Sequence, residues 1–183
     1  MKNIYLILGE SGSGKTSIAT QIEILYGMKT IQSYTTRPRR EANETGHTFV
    51  TEKEFDELKD MVAYTLYNNY RYCATSQQVE DNDLYVIDIK GIEYFKQNYK
   101  GNKGVKIIYI SSPIHTRVTR MEHRGDNFGM IMERIVNDVT DFKNAKEIAD
   151  VIINNGDNTS FDSLIKEVAD YIKITEELGE VNE

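Results

Sequence analysis

Apolar positions follow two rhythms along this chain. Continuous apolar runs, Ile4 to Leu8, Leu84 to Ile89, Val105 to Ile110 and Val151 to Ile153, read as strands buried on both faces. Between them apolar residues recur at helical spacing. One series is Ile18, Ile22 and Leu25. A second runs from Phe128 through Ile131, Ile135, Val139 and Phe142. A third follows Ser160 as Phe161, Leu164, Ile165, Val168 and Ile172. Ser112-Pro113 marks another helix start, with Ser as N-cap and Pro at the first helical position. Strands alternating with helices predict an α/β fold: a doubly wound parallel sheet that binds ligands at its carboxyl edge.

Residues 34–83 break this rhythm. They hold short strand-like stretches, His47 to Val50 and Met61 to Tyr67. Thr51 with Glu54, and Thr75 with Gln78, have capping-box spacing and predict two small helices. The segment reads as an insert on the ligand edge. The chain is then one domain, 1–175, with a core of 1–33 and 84–175. An acidic tail, 176–183, is expected to fray.

Composition narrows the function. The chain has 183 residues and a net charge of −7, which argues against bulk nucleic-acid or anionic-membrane binding. Any anion site must be a local basic cluster. The single cysteine, Cys73, excludes an internal disulfide and suits a reducing cytoplasm. No apolar run approaches the roughly 20 residues of a membrane span. His47, His115 and His123 are scattered and do not have metal-ligand spacing.

Three basic or glycine-rich clusters carry chemistry. Gly9-Glu10-Ser11-Gly12-Ser13-Gly14-Lys15-Thr16 is a complete phosphate-binding loop between the first strand and a helix, the signature of a P-loop NTPase. Its glycines let backbone N–H groups converge on phosphate, and the helix behind it adds a positive end. Lys15 would reach the β- and γ-phosphates of ATP, and the Thr16 hydroxyl would bind Mg²⁺. Arg37-Pro38-Arg39-Arg40 is the densest positive cluster and suits a second phosphate, since guanidinium groups grip phosphate in a fork. Arg117, Arg120 and Arg124 lie at helical spacing, Gly125-Asp126-Asn127 interrupts the helix, and Arg134 follows. Two arginine-lined helices around such a turn suggest a lid, about 117–134. Together these suggest a donor site, an acceptor site and a clamp for the charge in flight.

These motifs, in this order, resemble the guanylate kinase family of nucleoside monophosphate kinases, from Ile4 to about Ile172. The family loop Gly-x-Ser-Gly-x-Gly-Lys-[Ser/Thr] is matched by Gly9 to Thr16, and Ser-x-Thr-Thr-Arg-x-x-Arg by Ser33 to Arg40. Gly46, Phe49-Val50, Tyr72, the strand ending at Asp88, and Arg120 to Gly125 also match. The resemblance implies that Gly9 to Thr16, Ser17 and Asn154 hold ATP, with Mg²⁺ on Thr16. It implies that Ser33, Arg37, Arg40, Tyr72 and Asp88 hold the acceptor. It makes Lys15, Arg37, Arg120, Arg124 and Arg134 the catalytic set. A cytoplasmic monomer or homodimer acting on small nucleotides, with no nucleic-acid or membrane partner, is expected.

The departures concern the acceptor's base. An ungapped count back from Tyr72 puts the family's guanine-reading Glu at Ala63. Its Ser/Thr after Tyr-Gly falls at Ala74, with Thr75 beside it, and the second Asp of Asp-x-Asp falls at Lys90. His47 replaces a Tyr, and Ser33 is kept. The leading reading is phosphorylation of GMP or dGMP. The alternatives are another phosphorylated acceptor, or a silent binding module of the same fold.

Overall fold

The computed structural model describes residues 2–39 and 41–181. In chain order the elements are β1 (Asn3–Leu8), α1 (Lys15–Tyr26), β2 (Ser33–Thr35), β3 (His47–Phe49), α2 (Glu52–Asp56), β4 (Met61–Tyr67), β5 (Tyr70–Thr75), α3 (Ser76–Asp81), β6 (Leu84–Val86), α4 (Ile89–Asn98), β7 (Gly104–Ser111), α5 (Ile114–His123), α6 (Phe128–Asp141), α7 (Ala145–Ile148), β8 (Val151–Asn154) and α8 (Phe161–Val181).

Four strands form a parallel sheet in the order β6-β1-β7-β8. Thr30 adds a single parallel bridge to Leu84 beyond β6. Every residue of β1 is buried, because helices cover both faces. Its side chains divide by parity. Ile4, Leu6 and Leu8 join Ile92, Phe95 and Tyr109 on one side. Tyr5 and Ile7 join Ile18 and Ile22 of α1 and Leu164, Ile165 and Val168 of α8 on the other.

The insert is a second sheet, β3-β2-β5-β4, which begins at Ser33. β2 pairs β3 in parallel and β5 antiparallel. β4 and β5 form a hairpin closed by Asn68 and Asn69, both at positive φ, as a two-residue turn between right-twisted strands requires. Both expected capping boxes are present, on α2 and α3.

Four expectations change. The strand predicted to reach Ile89 stops at Val86, because Asp88 becomes the N-cap of α4 and accepts from Gly91 N–H. The helix expected at Ser112-Pro113 starts at Ile114. Pro113 is its N-cap, and the Ser112 hydroxyl instead donates to Asn155 O at 2.8 Å. On α6 the buried stripe is Ile131 and Ile135 against Met121; Phe128 and Val139 are exposed. The acidic tail does not fray at residue 176: α8 continues to Val181. Glu176 is tied back, accepting from Tyr5 OH at 2.7 Å and Asn3 Nδ2 at 2.9 Å. Asn182 and Glu183 lie outside the described residues.

Candidate active site

The loop from Gly9 to Gly14 joins the carboxyl end of β1 to α1, as the sequence predicts. Gly12 and Gly14 have φ of 77° and 96°, which only glycine adopts without strain. Space is equally tight: a Cβ on Gly12 would meet Arg117 O at 2.7 Å, and one on Gly14 would meet Asn155 Nδ2 at 2.7 Å. The Lys15 ammonium folds over its own loop, donating to Gly9 O at 2.5 Å and Glu10 O at 2.9 Å. Burial pushes its pKa down to about 8, against the opposing pull of Asp138 and Glu10. Thr16 and Ser17 are exposed in the first helical turn. One oxygen of Glu10 and the buried Ser13 hydroxyl have no partner among the described residues.

The lid packs against this loop more closely than its arginine spacing suggests. Arg117, read as part of a phosphate-facing cluster, is buried. It donates to Asp138 Oδ2 at 2.9 Å, to Ser112 O at 3.2 Å and to Ser11 O at 3.4 Å. Asp138, on α6, accepts the Ser11 N–H through the same oxygen at 2.9 Å. Burial pushes the Asp138 carboxyl up, while the Ser11 N–H and the nearby Arg117 and Lys15 charges pull it down. Arg120 donates to Asn155 Oδ1 at 2.9 Å and Ser112 Oγ at 3.3 Å, and burial lowers its pKa. Arg124 is half exposed and pairs with Asp126; Arg134 approaches the same carboxylate at 3.9 Å.

Across from the loop, the insert contributes Tyr72, Ser33 and Arg37. Arg37 is buried in a bidentate pair with Glu44, at 2.6 and 3.2 Å, and stands 5.3 Å from the Phe49 ring. Glu44 raises its pKa further. Arg39 covers the other part of that ring, 4.2 Å from its centroid. Arg40 lies outside the described residues. Ser33 Oγ is 2.9 Å from His47 Nδ1, and His47 meets Tyr72 edge-on. Asp88 Oδ1 accepts from Thr65 Oγ1 at 2.9 Å as well as from Gly91.

A cavity of about 320 Å³ joins these parts. Of the expected site residues, Gly9, Ser11, Lys15, Tyr72, Asp88 and Arg134 line it; Glu10, Gly12, Ser13, Gly14, Thr16, Ser17, Ser33, Arg37, Arg120 and Arg124 do not. Asn154 instead edges a second cavity beside Ser112, His115 and Asp157, where His115 Nε2 lies 2.6 Å from Asp157. Its neighbour Asn155 is the residue that reaches the loop, donating to Ser13 O at 2.8 Å.

Ala63, where the ungapped count puts the base-reading position, does not line the cavity, whereas Thr65 does. Ala63 and Ala74 face each other in the hairpin, are fully buried, and belong to the core. The β-bulge of this hairpin lies between Met61 and Ala63; from Ala63 to Tyr67 the pairing with β5 is regular, with Thr65 opposite Tyr72. The hydroxyl of Thr75, beside Ala74, caps α3 by accepting from the Gln78 N–H. Lys90 does line the cavity, 3.7 Å from Asp141. Sequence reasoning also missed Asn155, Asp138 and Thr65. Each sits outside any contiguous motif, and only the packing of separate elements brings it to the site.

A glycine-bent loop at the strand edge, facing a separate four-stranded sheet beside an arginine-bearing helix pair, fits one class: nucleotide-binding kinases. Within that class, the sequence model described as "Guanylate kinase" matches residues 1–175, and the chain belongs to the guanylate kinase family. Relatives named guanylate kinase are 29% identical in Rhizobium etli, covering 88% of this chain and 79% of that one, and 28% identical in Thermotoga maritima, covering 98% and 82%. The fold matches the crystal structure of guanylate kinase from Anaplasma phagocytophilum with a TM-score of 0.64. That match has 17% identity and covers 95% of this chain and 86% of that one.

Proposed function

We propose that this kinase transfers the γ-phosphoryl group of Mg²⁺-ATP to the phosphate of GMP or dGMP, giving the diphosphate. One observation carries the reading: Lys15 and Ser11 of the donor loop share a cavity with Tyr72 and Asp88 of the insert side and Arg134 of the lid. Lys15 would leave its loop carbonyls for the β- and γ-phosphates. Arg37 would exchange Glu44 for the acceptor phosphate, with Arg40 and Tyr72 beside it. Ser33 and Asp88 would face the base. Arg120, Arg124 and Arg134 would neutralise the transferring group, and the acceptor oxygen attacks phosphorus in line without a covalent intermediate.

The residues fit a magnesium ion carried by the nucleotide. Mg²⁺ in such sites takes most of its ligands from phosphates and water. Among the described residues no group of three His, Cys, Asp or Glu could cage a metal. The exposed Thr16 hydroxyl at the loop's end would supply the protein ligand.

The experiment incubates the protein with Mg²⁺-ATP and a panel of nucleoside monophosphates and sugar phosphates, following ADP release. Turnover with GMP or dGMP is the expected result. Turnover confined to another acceptor would move the reading to that acceptor, which Thr65 and Lys90 in the cavity wall would then explain. No acceptor-dependent turnover would make the chain a binding module.

A further inference from the structure

One tightly knit buried polar group is announced by no motif. Asp138 and Arg117 are both buried, on different lid helices, and they meet at 2.9 Å. The same Asp138 oxygen accepts the Ser11 N–H at 2.9 Å, and its other oxygen takes the Ser11 hydroxyl at 3.3 Å. Arg117 in turn donates to the Ser11 carbonyl. The whole Ser11 peptide, at the apex of the donor loop, is therefore gripped from α5 and α6 together. Arg117 O also abuts Gly12 too closely for any side chain there.

We infer that Asp138 is a positioning residue for phosphoryl transfer: it fixes the Ser11 peptide of the donor loop and, with Arg117, fastens the base of both lid helices to that loop.

Two consequences follow from helix geometry. Arg120 is three residues beyond Arg117 on α5, and Arg134 is four residues before Asp138 on α6. Each is about one helical turn, roughly 5 Å, from the fastening point. Their distance from the loop is thus preset. Arg124, at the far end of α5 and paired with Asp126, lies about two turns away, so closure of the lid is a movement of its tip. The second consequence is chemical. The Ser11 N–H is committed to a carboxylate, so donor phosphate is left with Gly12, Gly14 and the first-turn N–H groups of Lys15 and Thr16. A carboxylate held by Arg117 on one side and the loop on the other is a strut, since a buried ion in such a network does not leave without stranding its partner.

This inference rests on the donor-site reading above, and its test separates the two. Replacing a buried ion pair by apolar side chains is commonly neutral for folding. Arg117→Met with Asp138→Leu should therefore keep the urea midpoint at or above the parent's. Its kcat should fall about 10- to 100-fold from misplacement of the loop, with the KM for the acceptor within about twofold. Arg117→Met with Asp138→Asn keeps an oxygen for the Ser11 N–H and should recover most of that loss. A purely structural pair would give both variants parental kcat, and that outcome overturns the inference. In the unmutated protein, the Ser11 amide should exchange slowly with solvent, both free and with a nonhydrolysable ATP analogue. Exchange at the rate of an open loop would also overturn it. A parent protein that binds Mg²⁺-ATP but phosphorylates nothing in the panel would defeat the proposed function alone, because Ser11 exchange still reads the strut.

Discussion

The loop side and the second-sheet side of the cavity, proposed to hold donor and acceptor, are built on different principles. The donor loop is cross-braced from outside itself. Asn155 holds the Ser13 carbonyl, Asp138 holds Ser11, and α5 abuts Gly12. The second sheet and its flanks have their polar groups turned on one another: Arg37 on Glu44, Ser33 on His47, and Thr65 on Asp88. A loop whose backbone is braced can bind phosphate with only the Lys15 side chain changing partners, which keeps the entropic cost low. An internally paired site must exchange partners to bind, so its affinity depends on what the ligand offers in return.

The largest effect should come from the donor side. Lys15→Ala should lower kcat by at least about 10²- to 10³-fold, the usual loss when a charge-stabilising donor is removed. Circular dichroism should stay parental and the urea midpoint at pH 7 should be at or above the parental value, because the variant removes a desolvated ammonium whose bonds are to its own loop carbonyls. Turnover within a few-fold of the parent would mean that the braced loop is not the donor site.

The contrast explains what the sequence could reveal. The donor loop is eight consecutive residues whose spacing enforces its geometry, so its position between β1 and α1 was readable at once. So were the capping boxes at Thr51 and Thr75, because each is a local four-residue exchange of hydrogen bonds. Asp138 was not readable. It is one polar residue on an amphipathic helix, and it acquires meaning only because α6 packs beside a loop 127 residues away. The wall of the cavity was harder to read for another reason: the count from Tyr72 runs through regular pairing to Ala63, and only the packing shows that Ala63 is buried in the core while Thr65, two residues on, lines the cavity.

The difference between buried Ala63 and cavity-lining Thr65 yields a pair of substitutions with opposite outcomes. Ala63→Glu places a carboxylate in the apolar cluster around Val62, Ala74 and Val79. It should cost about 3–5 kcal/mol, the penalty of an uncompensated buried charge, measured by urea unfolding. Thr65→Glu with Lys90→Asp puts carboxylates on the cavity wall. If guanine's N1–H and amine face that wall, kcat/KM for GMP over AMP should rise about tenfold, roughly 1.4 kcal/mol and modest for a charged hydrogen bond. A stable, guanine-selective Ala63→Glu variant would restore the ungapped alignment. An unchanged preference in the Thr65 double variant would place the base elsewhere.

The smallest effect is a proton count, and it sharpens the comparison from the donor side. Free Lys15 has a pKa near 8 because its ammonium is desolvated. The unfolded value is about 10.4, so the protonated form is disfavoured by folding. The sign follows from linkage. Lys15 opposes folding at pH below about 8, and that opposition fades as pH rises through the window from about 8 to 10.4. Phosphate has the opposite preference, because it binds the charged form and raises the pKa. Mg²⁺-ATP binding should therefore take up close to one proton near pH 9 and almost none near pH 6.5, with affinity falling as pH rises through about 8. Calorimetry in buffers of different ionisation enthalpy measures this uptake directly. Lys15→Met should abolish it. Uptake that persists in that variant would assign the titration to another group and leave the braced loop without its charge switch.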